Sequence, residues 1–208
     1  YAENGAEVQT IQVMNVDTKQ FLLDLIPATG GILGWSFDNE AFMYMWIKSA
    51  DNFDPTASLN PKTKLHTLGA DPKTDIDFFS NAVCPELKIG EEVYPYISLM
   101  KDSPAYIFAG EGTVQNELKM YYTSYYQMNY SKRKWFTLCT PEDKLVLSFD
   151  VAGNKAFAIT HKGAPKRKLI STDLPFPDWA NAKVIAPEKS MVLEGFTRCK
   201  DYLLIRYS

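Results

Sequence analysis

His66 and His161 are the only imidazoles in this 208-residue chain, so any general-base chemistry near neutral pH has those two rings to work with. A serine nucleophile of the hydrolase type sits in a Gly-x-Ser-x-Gly turn, where the glycines permit a strained elbow. Gly34-Trp35-Ser36 begins such a turn, but Phe37-Asp38 follow and the elbow is missing. Neither histidine has a serine-elbow partner in sequence, so both read as satisfied edge or core residues. No residue of the chain is assigned a catalytic role.

Other chemistry-bearing groups lead no further. Asp71, Asp75 and Asp77 offer oxygen ligands, yet their spacing lacks the glycine-and-glutamate pattern of a calcium loop. Asp71 is better explained as a turn cap. Cys84, Cys139 and Cys199 are far apart and odd in number, with no Cys-x-x-Cys spacing. They read as single thiols rather than a disulfide framework or zinc site. No metal and no cofactor is expected. Tyr121, Tyr122, Tyr125, Tyr126 and Tyr130 form an aromatic ladder of a kind that stacks sugars or bases. Basic residues do not interleave it before Lys132 to Lys134, so it reads as cross-strand core or a protein interface. No motif in the sequence pairs Glu91, Glu92 or Glu111 with a second catalytic group, and they carry no acid–base assignment. The lone sequon, Asn129-Tyr130-Ser131, is taken as a chance match.

The elements that must position these groups are strands. Val8 to Val16 alternates, with apolar residues on both faces, and Asp17-Thr18-Lys19 turns the chain into Phe21 to Ile26. Pro27 to Gly31 (PATGG) reads as a breaker cluster that ends this unit. A new pair runs from Ile32 to Asp38 and from Ala41 to Ser49. Phe42, Tyr44 and Trp46 lie on one face of the latter and Met43, Met45 and Ile47 on the other, which predicts a core strand between two layers. Ala50 to Thr63 reads as a surface loop. Lys64 to Leu68 and Asp75 to Phe79 then form a hairpin around Gly69, Asp71 and Pro72, residues that supply a positive φ, a side-chain cap and a fixed φ.

The order repeats. Tyr94 to Met100, Ala105 to Ala109, Glu117 to Met128 and Lys134 to Cys139 are predicted strands, with Gly110-Glu111-Gly112 breaking the run. Lys144 to Asp150, Lys155 to His161, Lys168 to Asp173 and Ala182 to Ile185 follow, and Val192 to Arg198 with Tyr202 to Tyr207 come last. First strands recur roughly 47 to 62 residues apart, the period of a four-stranded β-propeller blade with variable loops. The fold class is therefore all-β: a β-propeller over residues 1–208, with blade-like units at about 32–90, 91–143 and 144–190 and half blades at 1–31 and 191–208. Either the terminal strands pair and close a ring, or the chain is an arc of a larger ring whose exposed blade edges promote association.

Composition bounds the alternatives. With 46% hydrophobic residues the chain has enough material for a core, and a formal charge of −3 leaves no footprint for nucleic acid or an anionic membrane. The one basic cluster, Lys162 with Lys166, Arg167 and Lys168, falls between two strands and reads as a solvated turn. No apolar run approaches the ~20 residues of a membrane helix, so a soluble protein, cytoplasmic or periplasmic, is expected. Tyr1 is preceded by no Met and followed by no signal-peptide core, so the chain is expected to be processed, to lack its start, or to come from the interior of something longer.

Four segments carry a family likeness. Trp35-Ser-Phe-Asp38 with Phe42-Met-Tyr44 resembles a WSPDG…FFY blade opening. KLHTLGADPKTDIDFF, Lys64 to Phe79, is similar to an LYxHxLGTxxxxDxLVF hairpin. Gly112-Thr113 with Asn116 and Leu118 resembles GTxxNxLY, and Val184 to Ser208 resembles VLIPExxxVLEGFxxFKDYLVLxY. In this order and near this spacing the set resembles the propeller of the prolyl oligopeptidase family of serine peptidases.

The resemblance implies a propeller that gates the access of short peptides to an α/β-hydrolase domain of the same parent chain. That parent would be a serine endopeptidase whose Ser-Asp-His triad lies outside these residues. It points to Glu111, Gly112 and Thr113 as candidate substrate contacts. It also implies an arginine just ahead of Gly112, where this chain has Gly110 and Glu111. The alternatives are a free-standing propeller that binds a protein or glycan, and an all-β sandwich of unrelated function.

Overall fold

The computed structural model describes residues 8–51 and 53–208, and residues 1–7 of the expected first half blade lie outside that range. The described residues form fifteen strands: β1 (Gln9–Met14), β2 (Phe21–Trp35), β3 (Ala41–Trp46), β4 (Lys62–Thr67), β5 (Ile76–Phe79), β6 (Tyr94–Ser98), β7 (Tyr106–Gly112), β8 (Met120–Ser124), β9 (Phe136–Cys139), β10 (Leu145–Ala152), β11 (Lys155–Thr160), β12 (Lys168–Asp173), β13 (Lys183–Ala186), β14 (Leu193–Arg198) and β15 (Leu203–Tyr207). They make four sheets in which sequence neighbours are spatial neighbours: β1 to β5, β6 to β9, β10 to β13, and β14 with β15. Such meanders form because short turns join antiparallel strands directly.

The chain clusters into two compact units. The first holds residues up to Leu99 with Ala109–Thr113 and Asn129–Arg133; the second holds Met100–Phe108, Val114–Met128 and Lys134–Ser208. In the first unit, Phe42, Met43 and Tyr44 of β3 are all buried, as expected of a strand with a layer on each face. The Lys64–Phe79 hairpin forms as predicted, with Lys64 opposite Asp77 and Leu65 opposite Ile76. Gly69 takes a φ of +78°, and Asp71 caps a 3-10 turn by accepting from the Lys73 N–H at 3.0 Å. In the second unit Val146, Ile159, Leu169, Ala186 and Leu193 form a core, against which Phe196 and Ile205 pack from the two-stranded sheet.

Three expectations are corrected. Pro27 to Gly31 do not end a unit but lie inside β2, which pairs with β1 along its first half and with β3 along its second. Positive φ at Ala28 (55°) and Gly31 (105°) and the register shifts on both sides bend the strand instead. The bend folds the β1–β2 hairpin over the face of its own sheet, so that Ile11 and Ile26 pack against Phe42 and Tyr44. Gly110-Glu111-Gly112 likewise continue β7 rather than break it. The aromatic run Glu117 to Met128 is a strand only over Met120–Ser124. The Ser124 hydroxyl then accepts from the Tyr126 N–H and turns the chain into a 3-10 segment, Tyr125–Gln127.

Ring closure through the ends does not occur among the described pairings. β1 and β2 belong to the sheet of β3, while β14 and β15 stand as a pair of their own.

Candidate functional site

Polar side chains converge most closely inside the first unit, on His66. β4 carries the ring into the interior, where it is fully buried with Phe42 tilted against it at 5.1 Å between ring centroids. Nε2 lies 2.8 Å from Asp24 Oδ1, and Nδ1 lies 2.7 Å from Asp75 Oδ1. Both carboxylates are as buried as the ring. Asp24 Oδ1 also accepts from the Gly69 N–H at 2.5 Å, and Asp75 Oδ2 accepts from the Tyr44 hydroxyl at 2.8 Å. Burial works to raise the Asp24 carboxyl, but the Gly69 amide and His66 outweigh it and hold the group below its ordinary value. Burial, together with the Asp75 acceptor, pushes the Tyr44 phenol far up, so it stays a donor.

An Asp–His pair with a hydroxyl nearby invites comparison with a triad, but here the geometry argues against it. A triad histidine keeps one nitrogen for the nucleophile, whereas both nitrogens of His66 are committed to carboxylates and no ring atom reaches solvent. The chain Asp24–His66–Asp75–Tyr44 therefore pins the folded-over β1–β2 hairpin and the Gly69 turn to β3 and β4. His161, in the second unit, lies 3.2 Å from Glu117 Oε1, with Lys144 Nζ 3.6 Å from the same oxygen. Among the described hydrogen bonds neither histidine has a serine partner. Ser36 locks its own turn, 2.5 Å from Asp38 Oδ1 and accepting from the Ala41 N–H at 3.0 Å.

The three aspartates of the hairpin separate by role. Asp71 caps the turn, Asp75 joins His66 and Tyr44, and Asp77 pairs with Lys62 at 2.6 Å and Lys64 at 3.5 Å. Of the tyrosine ladder, Tyr121 and Tyr122 are buried and Tyr126 is exposed. The Tyr122 hydroxyl donates to the Pro175 carbonyl.

Glu111, Gly112 and Thr113 lie at the end of β7: Glu111 and Gly112 half-buried, Thr113 exposed. A Cβ at position 112 would stand 2.9 Å from the Tyr94 carbonyl oxygen, so glycine there lets β7 approach β6. A Cβ at position 110 would fall 2.2 Å from the Tyr96 ring. Any side chain at that position thus requires Tyr96 to swing away.

In the second unit Arg198 of β14 is the convergent cation. Its Nη2 donates to Asp102 at 2.6 Å and its Nε to Asp150 at 2.9 Å, and the Asp102 and Asp150 carboxylates hold the guanidinium's affinity for its proton above the ordinary value. The neighbouring turn is docked as well: Ser103 Oγ donates to the Gly153 carbonyl at 2.7 Å. A cavity of about 580 Å³ opens beside β14 and β15, with Leu147, Glu194, Phe196, Leu204 and Arg206 on its walls.

Sequence reasoning missed Asp24, Tyr44 and Arg198. Asp24 sits 42 residues from His66, and no local spacing announces that contact. Asp75 was visible in the hairpin motif, though not as the partner of His66.

Successive antiparallel meanders of this kind, four strands to a typical sheet, define a β-propeller type of chain. The comparisons make the class specific. The family model described as the prolyl oligopeptidase N-terminal beta-propeller domain matches residues 1–208, and the chain belongs to that family.

Solved structures agree at the level of fold. One of two prolyl endopeptidases studied for the role of inter-domain dynamics in catalysis and specificity matches with 19% identity and a TM-score of 0.73, over 98% of this chain and 29% of that one. Prolyl oligopeptidase B from Galerina marginata, as apo protein, matches with 16% identity and a TM-score of 0.75, over 99% and 29%. The same enzyme bound to a 35mer hydrolysis and macrocyclization substrate gives 15%, 0.73, 98% and 29%. The chain thus spans about 29% of the length of these structures. The comparison with curated proteins returns no match.

Proposed function

We propose that this chain is the non-catalytic propeller portion of a prolyl oligopeptidase-like serine peptidase, where it gates the access of short peptides to an α/β-hydrolase domain. The observation that carries the reading is the family match along all 208 residues. The chemistry is consistent with it: both histidines are engaged by carboxylates, and the only serine near a glycine elbow, Ser36, is locked in its turn. A ring in front of a hydrolase site selects by steric exclusion and keeps bulk water out while the site is closed. In this reading the sheets β2–β5, β6–β9 and β10–β13 act as blades, and Glu111 to Thr113, at the end of β7, are the candidate peptide contacts.

Two measurements test it. The purified chain, incubated with a proline-containing chromogenic peptide and a fluorophosphonate probe, should show neither turnover nor labelling. In the parent protein, short peptides should be cleaved and folded proteins spared. Proline-specific cleavage by this chain alone, inhibited by the fluorophosphonate, would overturn the assignment. A parent reading frame with no Gly-x-Ser-x-Gly elbow would favour the free-standing binding propeller instead.

A further inference from the structure

The contacts of His66 fix how many protons its ring must carry. Two carboxylate oxygens face it, Asp24 Oδ1 at 2.8 Å from Nε2 and Asp75 Oδ1 at 2.7 Å from Nδ1. A neutral imidazole has one N–H and one lone pair, so it can donate to only one of them. Its other nitrogen would then set a lone pair against a carboxylate oxygen at hydrogen-bond distance, with both groups shielded from solvent. Contacts this short at both nitrogens are those of charge-assisted hydrogen bonds, each with a proton in it.

Both protons belong to the ring rather than to the acids. Asp75 Oδ2 accepts from the Tyr44 hydroxyl at 2.8 Å, and Asp24 Oδ1 accepts from the Gly69 N–H at 2.5 Å. Each of these bonds favours the ionised carboxylate. Asp24 Oδ2 is buried with no hydrogen-bond donor among the described residues, so the charge of Asp24 is answered at Oδ1 alone, by Gly69 and the ring. The surrounding elements supply no substitute cation. β1 has no titratable side chain, Asp24 is the only one in β2, and Tyr44 is the only one in β3. Lys62 and Lys64 of β4 pair with Asp77 of β5. The Gly69 turn adds Asp71 and Lys73, both exposed, and β6 adds only the phenols of Tyr94 and Tyr96.

We propose that His66 is held as an imidazolium with one N–H to each carboxylate, and that its second proton is a latch: alkaline loss of that proton releases the β1–β2 hairpin from the face of its sheet. Without the proton, two buried carboxylates share a single ring donor, and one contact must open. The one that gives is Asp24. Asp75 stands in the same hairpin as His66 and keeps Tyr44, whereas Asp24 reaches the ring from 42 residues away, on the part of β2 that pairs with β1 alone. The closed state holds one proton more than the open state, so opening releases a proton and becomes easier as pH rises, by up to about tenfold per pH unit. The proposal does not rest on the peptidase reading, and either can fail alone.

The first test is nitrogen NMR of the purified chain carrying isotopically labelled histidine, with His161→Gln to identify the signals of His66. At about pH 7 both ring nitrogens of His66 should bear a proton. A ring with one unprotonated nitrogen at that pH overturns the proposal. The second test is amide hydrogen exchange from about pH 7 to 9, corrected for the base-catalysed intrinsic rate. Protection of β1 and of residues 21–26 should fall by up to about tenfold per pH unit, while β10 to β13 keep theirs. In His66→Gln the hairpin should be poorly protected throughout, with the pH dependence gone. Protection that stays flat in the unsubstituted chain overturns the latch, as does a fall shared equally by β10 to β13 or one that persists in His66→Gln. Should His66→Gln fail to fold, the NMR and the β10–β13 comparison, both made on the unsubstituted chain, still decide.

Discussion

Replacing His66 by alanine should be among the most damaging single substitutions in the chain. The ring is fully buried, and its two nitrogens lie 2.8 and 2.7 Å from carboxylates that are themselves shielded from solvent. Alanine leaves Asp24 and Asp75 facing one another across a cavity with no donor between them. Breaking a buried ion pair by removing one partner costs about 3–5 kcal/mol, against a total stability of about 5–15 kcal/mol for a typical domain. The expected loss is thus about a fifth or more of what holds the fold. Urea unfolding followed by tryptophan fluorescence measures it. His66→Gln, which keeps one donor, should fall between the original and alanine. A cycle pairing His66→Ala with Asp24→Asn should show strong coupling, because the double variant no longer strands the Asp24 charge. A cost for His66→Ala below about 1 kcal/mol, or independent effects in the cycle, would falsify the pinning role of the network.

Three further outcomes follow from particular groups. Asp24 is held below its ordinary value in the fold, so its contribution is present above about pH 4 and is lost as pH falls through the folded value; Asp24→Asn should flatten the pH dependence of stability in that acid range, read by urea midpoints from pH 2 to 6. Cys199 is exposed while Cys84 and Cys139 are buried, and burial pushes the Cys139 thiol up to about 12. A disulfide reagent should therefore label one thiol quickly and the other two only on unfolding; fast labelling of two or more contradicts the burial. Gly112→Ala should cost about 1–3 kcal/mol because its Cβ meets the Tyr94 backbone oxygen, whereas Gly153→Ala meets no atom and is limited to the strain of its positive φ.

Much of this architecture can be read from the sequence, for local reasons. The Lys64–Phe79 hairpin is announced by residues that each do one thing in the turn, and the structure uses Gly69 and Asp71 in those roles. Proline and glycine misled elsewhere. At Pro27 to Gly31 they read as a stop, yet neighbours on either side of β2 keep its pairing going, and the positive φ values spend themselves on a bend. At Gly110 and Gly112 the missing side chains answer Tyr96 and Tyr94, a need set by the adjacent strand rather than by the local sequence. The tyrosine run was overextended because Ser124 caps a turn in its midst. The His66 network was the least legible, since Asp24 reaches it only through the fold of β2 back over the sheet.

The shared strand β2 has a mechanical consequence. Tension applied at the N-terminus loads the β1–β2 ladder first, one rung at a time, because residues 21–26 pair with β1 alone. At Thr29 the load changes character. That residue faces Gln9 on one side and Trp46 on the other, and its hydroxyl donates to the Gln9 carbonyl at 3.0 Å. Once β1 has peeled away, extension must tear out the buried Asp24 before it reaches Thr29, and only then shear the core ladder of β2 and β3. The hairpin therefore yields in two stages: β1 peels away rung by rung, while the first half of β2 holds until the Asp24–His66 contact breaks, and β3 to β5 stay in register behind it.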